Sequence, residues 1–260
     1  MRLFRRRRPI DDDEDVTQLL PPDDEPREEE ERPRRRGITR RILLGVAKVA
    51  VGYYAFCVLM LVIYRFVWPP VTGVQLQRRI EAMASGREYR FEREWVRLDR
   101  LPQQVPHAVV SAEDGRFYTH GGFDLVEMRH ARRGIAAGGR MRGASTITQQ
   151  LVKNLFGVAT RNPLVGIIRK VYDWALTPVA EFVLGKHRIL ELYLNTAEWG
   201  DGVFGIDAGA RHRYGCAARQ LTRSQAAGMA ALLPNPHVRT TRNTGAYRRD
   251  ILRRMTRRGW

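Results

Sequence analysis

Two short segments of the chain carry side chains that could do chemistry. In the first, Glu113 and Asp114 place two adjacent carboxylates after the apolar residues Ala108-Val109-Val110 and ahead of His120. A carboxylate beside apolar neighbours can hold a raised pKa and exchange a proton with a substrate. In the second, hydroxyl and amide side chains precede Lys153, a combination that favours a polyhydroxylated or phosphorylated ligand. Together the two segments predict a site for sugar chemistry.

The order of the motifs resembles a known family. Glu-Asp-x-x-Phe-x-x-His-x-Gly from Glu113 and Gly-x-Ser-Thr-x-x-Gln-Gln-x-x-Lys-Asn from Gly143 are similar to the first two signatures of the peptidoglycan glycosyltransferases, glycosyltransferase family 51. Three later segments follow in the family's order: Arg169-Lys170 with an acid at position 173, Lys186 to Asn195, and Ala230 to Pro236. One such motif would be weak evidence, whereas five in order form a specific pattern.

This resemblance implies a fold and an activity. The fold would be mainly α, a lysozyme-like helical glycosyltransferase domain with a membrane-facing lobe and one N-terminal transmembrane helix. The reaction would polymerise lipid II, a disaccharide-peptide on a polyprenyl pyrophosphate, into peptidoglycan glycan strands. The transfer would be inverting and would release polyprenyl pyrophosphate. The chain shows no Ser-x-x-Lys transpeptidase signature, so the resemblance is to the monofunctional members.

The resemblance also assigns roles to individual residues. Glu113 matches the family's catalytic base, and Asp173 matches its second acid. Cations near the pyrophosphate would stabilise the charge that develops on the leaving group. The substrate-binding positions implied are Asp114, Phe117, His120, Ser145, Thr146, Gln149, Gln150, Lys153, Asn154, Arg161, Arg169 and Lys170. No cofactor is certain, and the resemblance leaves open a divalent cation, Mg²⁺ or Mn²⁺, at the pyrophosphate.

Several of these positions have a simpler interpretation. Asp114 fits a helix cap or a structural ion pair as well as a second catalyst. His120, between turn residues, is typical of a hydrogen-bonding loop residue. Glu191 and Asn195 are expected to fix helix packing. Glu198 and Asp201 flank Trp199 and could touch sugar, although carboxylates in a glycine-rich turn are usually solvated.

The chain departs from the family pattern in two places. The second acid is normally Glu, whereas Asp173 is shorter by one methylene group, a difference in reach that can affect catalysis. The stretch between Lys153 and Arg169 is longer than usual, which weakens the alignment of Arg161. In addition, Pro178 falls inside the helix predicted to carry Asp173 and should kink or break it.

The segment 42–64 is apolar apart from Lys48 and predicts a membrane anchor. As a helix it would extend about 35 Å, enough for a hydrocarbon core of roughly 30 Å. Arg34, Arg35, Arg36, Arg40 and Arg41 precede it, and Arg65 alone follows closely, so the positive-inside rule places the N-terminus in the cytoplasm. Some forty polar residues come first, which argues against a cleaved signal peptide. We therefore expect a single-pass protein of the bacterial plasma (inner) membrane with its catalytic domain extracytoplasmic or periplasmic.

Charge is distributed unevenly along the chain. Residues 1–41 alternate acidic and basic runs and predict a disordered cytoplasmic tail. The formal charge is +17 in all and +15 after residue 70. A basic domain beside a bilayer suits membrane lipids, lipid II and the growing glycan strand, and no nucleic-acid-binding motif is visible. The two cysteines, Cys57 in the anchor and Cys216 beyond it, cannot pair within one chain.

The pattern predicts four regions: a tail at 1–41, the anchor at 42–64, a membrane-proximal linker at 65–100 and the glycosyltransferase domain at 101–260. Helical periodicity dominates, for example over 164–184 and 224–233, and the latter helix should end at Pro234. Transpeptidases and other cell-wall synthesis proteins are the expected partners. Two other functions stay open, a glycan-cleaving lysozyme-like enzyme and a non-catalytic membrane scaffold.

Overall fold

Helices form most of the described part of the chain. A computed structural model describes residues 35–86, 88–89, 91–136, 138, 145–157, 160, 162–240 and 243–260. The helices in these ranges are α1 Arg35–Tyr64, α2 Gly73–Ala84, α3 Gln104–Glu113, α4 Leu125–Ala136, α5 Ile147–Phe156, α6 Pro163–Thr196, α7 Ile206–Tyr214, α8 Arg223–Ala230 and α9 Gly245–Arg257. The mainly α class predicted from the sequence is confirmed. The tail up to residue 34 and Arg161 lie outside the described residues.

The chain divides into two units, Met1–Val46 and Ala47–Trp260. The described part of the first unit is the beginning of α1. The second unit holds the rest of α1 and all later elements, and its core is one cluster of buried apolar side chains. The predicted linker at 65–100 contains α2, whose first residue, Gly73, lies so close to α5 that a Cβ would meet the carbonyl oxygen of Gly157 at 2.8 Å.

Helix α1 carries a candidate membrane span, Thr39–Tyr64, with a mean hydropathy of 2.2. Most of its apolar side chains are exposed, as a bilayer-facing helix requires. Within the second unit, hydrogen bonds of tyrosine side chains join α1 to α5 and α6. Tyr53 donates to the carbonyl oxygen of Phe156 at 2.8 Å, and Tyr172 of α6 donates to that of Ala50 at 2.8 Å. The end of α1 is thereby tied to α5 and α6.

Three helices begin with the same capping device. Thr72, Thr146 and Thr222 each accept a hydrogen bond from the backbone of the residue three positions later, and the glutamine there returns a bond to the threonine backbone. This capping box satisfies two backbone donors that a helix start otherwise leaves unpaired. The Ser-Thr-x-x-Gln pattern of the second sequence motif is therefore, first of all, the start of α5.

Helix α6 is interrupted at Gly185 and not at Pro178. The backbone stays helical through the proline, whereas Gly185 has φ 71° and ψ 163°. The break predicted at Pro178 is therefore wrong: the proline removes one backbone donor, but its fixed φ is compatible with a helix, and α6 continues through it. The predicted end of α8 at Pro234 is also too late: α8 ends at Ala230, and turns follow it.

A small sheet closes one side of the core. Its strands are β1 Glu92–Arg93, β2 Glu198–Gly200 and β3 Val203–Phe204, in the order β1-β3-β2. β1 runs parallel to β3, and β2 antiparallel to it. The fully buried Trp199 and Phe204 fix these short strands to the helices. The C-terminal end of α3 and the start of α5 meet where Ile147 donates to Asp114.

Candidate active site

Glu113 is the last residue of α3, at the edge of the core. The amide Nε2 of Gln150 donates to its Oε2 at 2.8 Å. Burial raises the pKa of the Glu113 carboxyl, while the Gln150 hydrogen bond and the charges of Arg239 and Lys153 oppose that rise. A carboxylate held in this way is a stronger base than one in water.

A buried tyrosine fixes the amide that holds Glu113. The hydroxyl of Tyr193 donates to Oε1 of Gln150 at 2.9 Å, so the other end of the amide must present its N–H groups to the carboxylate. Tyr193 is 1% exposed, and burial raises its pKa well above the usual value. The phenol therefore stays protonated and keeps donating. The sequence motifs pointed to Gln150 and gave no role to Tyr193.

Asp114 and His120 form a structural pair. Asp114 accepts from the backbone N–H of Ile147 at 3.0 Å and lies 2.9 Å from Nε2 of His120. Nδ1 of His120 accepts from the backbone of Gly122 at 3.1 Å, which assigns the ring proton to Nε2. Asp114 thus connects the end of α3 to the start of α5, as the simpler interpretation of both residues expects.

Other residues of the first two motifs build this corner of the fold. Thr146 donates to the carbonyl oxygen of Gly122 at 2.7 Å and, with Gln149, forms the capping box of α5. Phe117 is fully buried, and Lys186 lies 4.4 Å above its ring. Lys186 also bonds Glu181, which accepts from Thr148 at 2.5 Å. These contacts link the first, second and fourth motifs.

A group of charges lies along α5 and the first half of α6. Arg169 Nε is 3.7 Å from Oδ2 of Asp173, one helical turn away. Burial and the charge of Arg169 lower the pKa of Lys153. The negative charges of Asp173 and Glu113 partly oppose this lowering. Burial raises the pKa of Asp173 to about 6, against the effect of Arg169 and Lys153. The three side chains therefore share one electrostatic environment, which also includes Glu113.

The remaining predicted site residues are more peripheral. Lys170 is exposed, with Nζ 5.5 Å from the ring of Trp174, and Asn154 is half-buried on α5. Ser145 lines the cleft described below. Glu198 does not stay solvated, because it pairs with Arg78 at 3.3 Å and with His237 at 3.2 Å. Trp199 beside it is fully buried and offers no ring face to a sugar.

Glu191 and Asn195 hold the chain before α3. The carboxylate of Glu191 accepts from the backbone N–H of Leu98 at 2.8 Å, and the amide of Asn195 pairs with both backbone groups of Val96. Both side chains are buried. These contacts agree with the packing role expected of the two residues.

A cleft of about 970 Å³ opens beside Glu113 and continues to the C-terminal helix. Gln150 and Ser145 line the cleft, and Arg239 together with Tyr247 and other residues of α9 lines what we call its α9 wall. Tyr247 donates to the carbonyl oxygen of Ala112 at 3.0 Å, and the guanidinium of Arg239 lies 5.1 Å above its ring. The motifs did not identify this wall; the arginine-rich run at 248–258 is the signal that could have done so.

One group of potential metal ligands lies close to this site. Donor atoms of Asp114, His120 and Asp124 lie within 4.8 Å of one another. Both oxygens of Asp114 already accept hydrogen bonds, and one oxygen of Asp124 accepts from the first backbone N–H groups of α4. The other oxygen of Asp124 is buried and lies 3.5 Å from Nε of Arg116.

Comparisons with known proteins agree with the motif order. A family model described as Transglycosylase matches residues 79–256. A "Biosynthetic peptidoglycan transglycosylase" of Pseudomonas fluorescens (strain Pf0-1) is 42% identical over 190 residues, which cover 73% of this chain and 78% of the relative. A relative with the same description from Stutzerimonas stutzeri (strain A1501) is 38% identical over 224 residues, 83% of this chain and 90% of its own.

Proposed function

The chain belongs to the transglycosylase family, and we propose that Glu113 is the base of its reaction. The enzyme is a peptidoglycan glycosyltransferase that joins lipid II units into glycan strands. One observation carries the assignment of the base. Glu113 is a partly buried carboxylate, oriented by Gln150, and the charges of Arg239 and Lys153 act on it. The alternatives of a lytic enzyme and a non-catalytic scaffold are not favoured, because the relatives bear a biosynthetic description.

Glu113 takes the proton of the attacking hydroxyl. The 4-hydroxyl of one lipid II forms a bond to the anomeric carbon of the lipid-linked strand, and its proton passes to Glu113. The bond from that carbon to the pyrophosphate oxygen breaks, so the configuration inverts and polyprenyl pyrophosphate leaves. The raised pKa of Glu113 improves proton transfer, because it lies closer to neutrality than that of a solvated carboxylate.

Lys153 and Arg169 act on the leaving group. Pyrophosphate is a good leaving group, so it needs charge stabilisation more than protonation. Arg169 forms an ion pair with Asp173 one helical turn away on α6. The charges of both residues act on Lys153 of α5. Asp173 supplies one carboxylate beside these cations, and one carboxylate together with substrate phosphates is a ligand set that Mg²⁺ or Mn²⁺ could use. The side-chain cations Lys153 and Arg169 act on the same phosphates.

The anchor fixes the orientation of the enzyme. In this proposal the N-terminal arginines stay in the cytoplasm and the catalytic domain works on the outer face of the plasma membrane. The glycan strands need peptide cross-links to form a wall, so transpeptidases and other cell-wall proteins are its functional partners. Membrane lipids contact the exposed apolar side chains of α1.

Incubation with fluorescently labelled lipid II tests the assignment. The wild type should form polymer, and Glu113→Gln should lose at least about a hundredfold in rate, because it removes the base and nearly preserves its shape. Glu94→Gln is the matched control, since Glu94 pairs with Arg211 on the surface. Rates of Glu113→Gln within a few-fold of wild type would remove Glu113 from the mechanism. Digestion of preformed glycan would identify a lytic enzyme instead.

A further inference from the structure

The cleft is lined by arginines that have hydrogen bonds or ring contacts within the fold but no carboxylate partner in the described part of the chain. Among the described residues, Arg239, Arg257 and Arg258 have no carboxylate within ion-pair distance. Arg239 donates to the carbonyl oxygen of Ala231 and lies over Tyr247, while Arg258 contacts a backbone carbonyl and the Trp260 ring. All three line the cleft that begins at Glu113. Guanidinium groups bind carboxylates and phosphates in a bidentate manner, so this wall is suited to an anionic ligand.

Helix α9 fixes the positions of Arg257, at its end, and of Arg258, which follows it. Ile251 and Met255 on its inner face are fully buried. Its first turn is tied to α3 through Tyr247, and Trp260 just beyond its end stacks on His107 at 4.3 Å. A helix secured at both ends presents its charged face with little loss of entropy when a ligand binds.

Gly115 leaves room for one of the arginines. A Cβ at this position would lie 2.2 Å from Nη2 of Arg258. The guanidinium thus reaches the loop that directly follows Glu113 and Asp114. Any larger residue at 115 would displace it from the mouth of the cleft.

The cleft leads away from the pyrophosphate cations. Lys153 belongs to α5 and Arg169 to α6. Hydrogen bonds of Tyr53 and Tyr172 connect these two helices to α1, the anchor helix. In the described part of the chain, no residue of α1 or α6 lines the cleft, nor does Lys153, and α5 contributes Gln150, which bonds Glu113. Because polyprenyl pyrophosphate is held in the bilayer, it must bind on the anchor side of Glu113. The other side therefore receives the saccharide and its peptide.

The chemistry of lipid II then limits what the arginines can bind. Away from the pyrophosphate, the disaccharide offers uncharged hydroxyl and amide groups, and the carboxylates belong to the peptide. We propose that Arg257 and Arg258, with Arg239, form a subsite for peptide carboxylates of the substrate, so that the enzyme recognises the peptide as well as the sugar. This inference rests on the proposed function and adds a peptide-binding site to it.

The subsite is tested by comparing arginine variants on two forms of lipid II. Steady-state kinetics compare Arg257→Gln/Arg258→Gln with the wild type on lipid II and on lipid II whose peptide carboxylates are amidated. Arg239 is left intact, because its charge also acts on Glu113. The matched control is Arg249→Gln/Arg253→Gln, which removes the same charge from α9 at positions that do not line the cleft.

We expect the cleft variant to raise KM for ordinary lipid II about tenfold, with kcat within about twofold of wild type. On amidated lipid II the variant and the wild type should have similar KM values. The control should behave like the wild type on both substrates. This pattern would be produced by loss of a carboxylate contact and not by damage to the fold.

Three results would overturn the subsite. An equal rise of KM on both substrates would mean that the arginines bind phosphate or lipid headgroups. The same rise of KM in the control variant would mean that the effect comes from the total charge of the domain. An unchanged KM of the cleft variant would mean that Arg257 and Arg258 have no role in binding. If the wild type forms no polymer at all, the proposed function fails, and titration of the soluble peptide into wild type and cleft variant still decides the subsite.

Discussion

At the scale of single residues, Asp173 shows how an acid between cations is tuned by burial. Its folded pKa is about 6 and its ordinary value is 3.8, so the folded state binds the proton more tightly than the unfolded chain does. The resulting cost to stability is absent below the ordinary pKa, grows as the pH rises through this window and is complete above about 6. The acid persists despite this cost, which is consistent with a role in orienting Arg169.

Replacing Asp173 should separate stability from rate. Asp173→Asn should stabilise the fold at pH 8 by about 1 kcal/mol, after allowance for solvent screening of the partly exposed group, and should have no such effect at pH 3.5. Its rate on lipid II should fall at least about tenfold, because the partner of Arg169 is lost. Asp173→Glu should keep or raise the rate. Denaturant unfolding at both pH values and initial rates measure this. Wild-type activity of the Asn variant would show that Asp173 has only a surface role.

Tyr193 is expected to set the direction of the Gln150 amide. In Tyr193→Phe the amide loses the donor that fixes its Oε1, and it can turn that oxygen towards Glu113. A net loss of about 1–1.5 kcal/mol corresponds to a five- to tenfold drop in kcat. Tyr247→Phe is the control, because it also removes a hydroxyl that bonds near Glu113 but leaves Gln150 in place. Equal effects of the two variants would argue against a specific role for the amide.

At the scale of elements, α6 depends on the glycine that interrupts it. Lys186, directly after the break, donates to Glu181 before it, and Glu181 also accepts from Thr148 of α5. An added Cβ at 185 would meet no atom within 4 Å, so the cost of a substitution there is purely one of backbone conformation.

Two glycine substitutions in α6 should therefore have opposite signs. Gly185→Ala should destabilise the fold by about 1–2 kcal/mol, because an L residue at φ 71° is strained. Gly166→Ala, in regular helix with open space around its Cβ, should stabilise it by about 0.5–1 kcal/mol. Thermal unfolding of both variants decides. A neutral Gly185→Ala would mean that the break can close without loss of the fold.

At the scale of the whole molecule, the proposed membrane orientation depends on the arginines that precede the candidate span. Neutral residues at Arg34, Arg35, Arg36, Arg40 and Arg41 should weaken or invert the topology, because the charge bias across α1 disappears. Protease accessibility of the C-terminal domain in intact spheroplasts is the measurement. Neutralising Arg5 to Arg8 is the control, since these residues are farther from the anchor. A wild-type catalytic domain protected from external protease would contradict the orientation proposed above.

The sequence by itself determined the chemistry of this protein to a large extent. The identity and order of the five motifs lie in the chain, and a family model over 79–256 supports the assignment drawn from them. The anchor and the mainly helical class were equally visible, since apolar length and three- to four-residue periodicity are local properties. The contact between Arg169 and Asp173 also follows from spacing on one helix.

Tertiary structure decided which hydrogen bonds the motif residues make within the fold. Thr146, Gln149, Asp114 and His120 have the polar side chains of a binding site, yet their hydrogen bonds go to the start of α5 and to neighbouring loops. The Tyr193–Gln150–Glu113 chain and the α9 wall join segments far apart in sequence, which no local pattern encodes. The break of α6 at Gly185 was missed for a related reason. A glycine permits positive φ without requiring it, and only the packing of α6 makes use of that freedom.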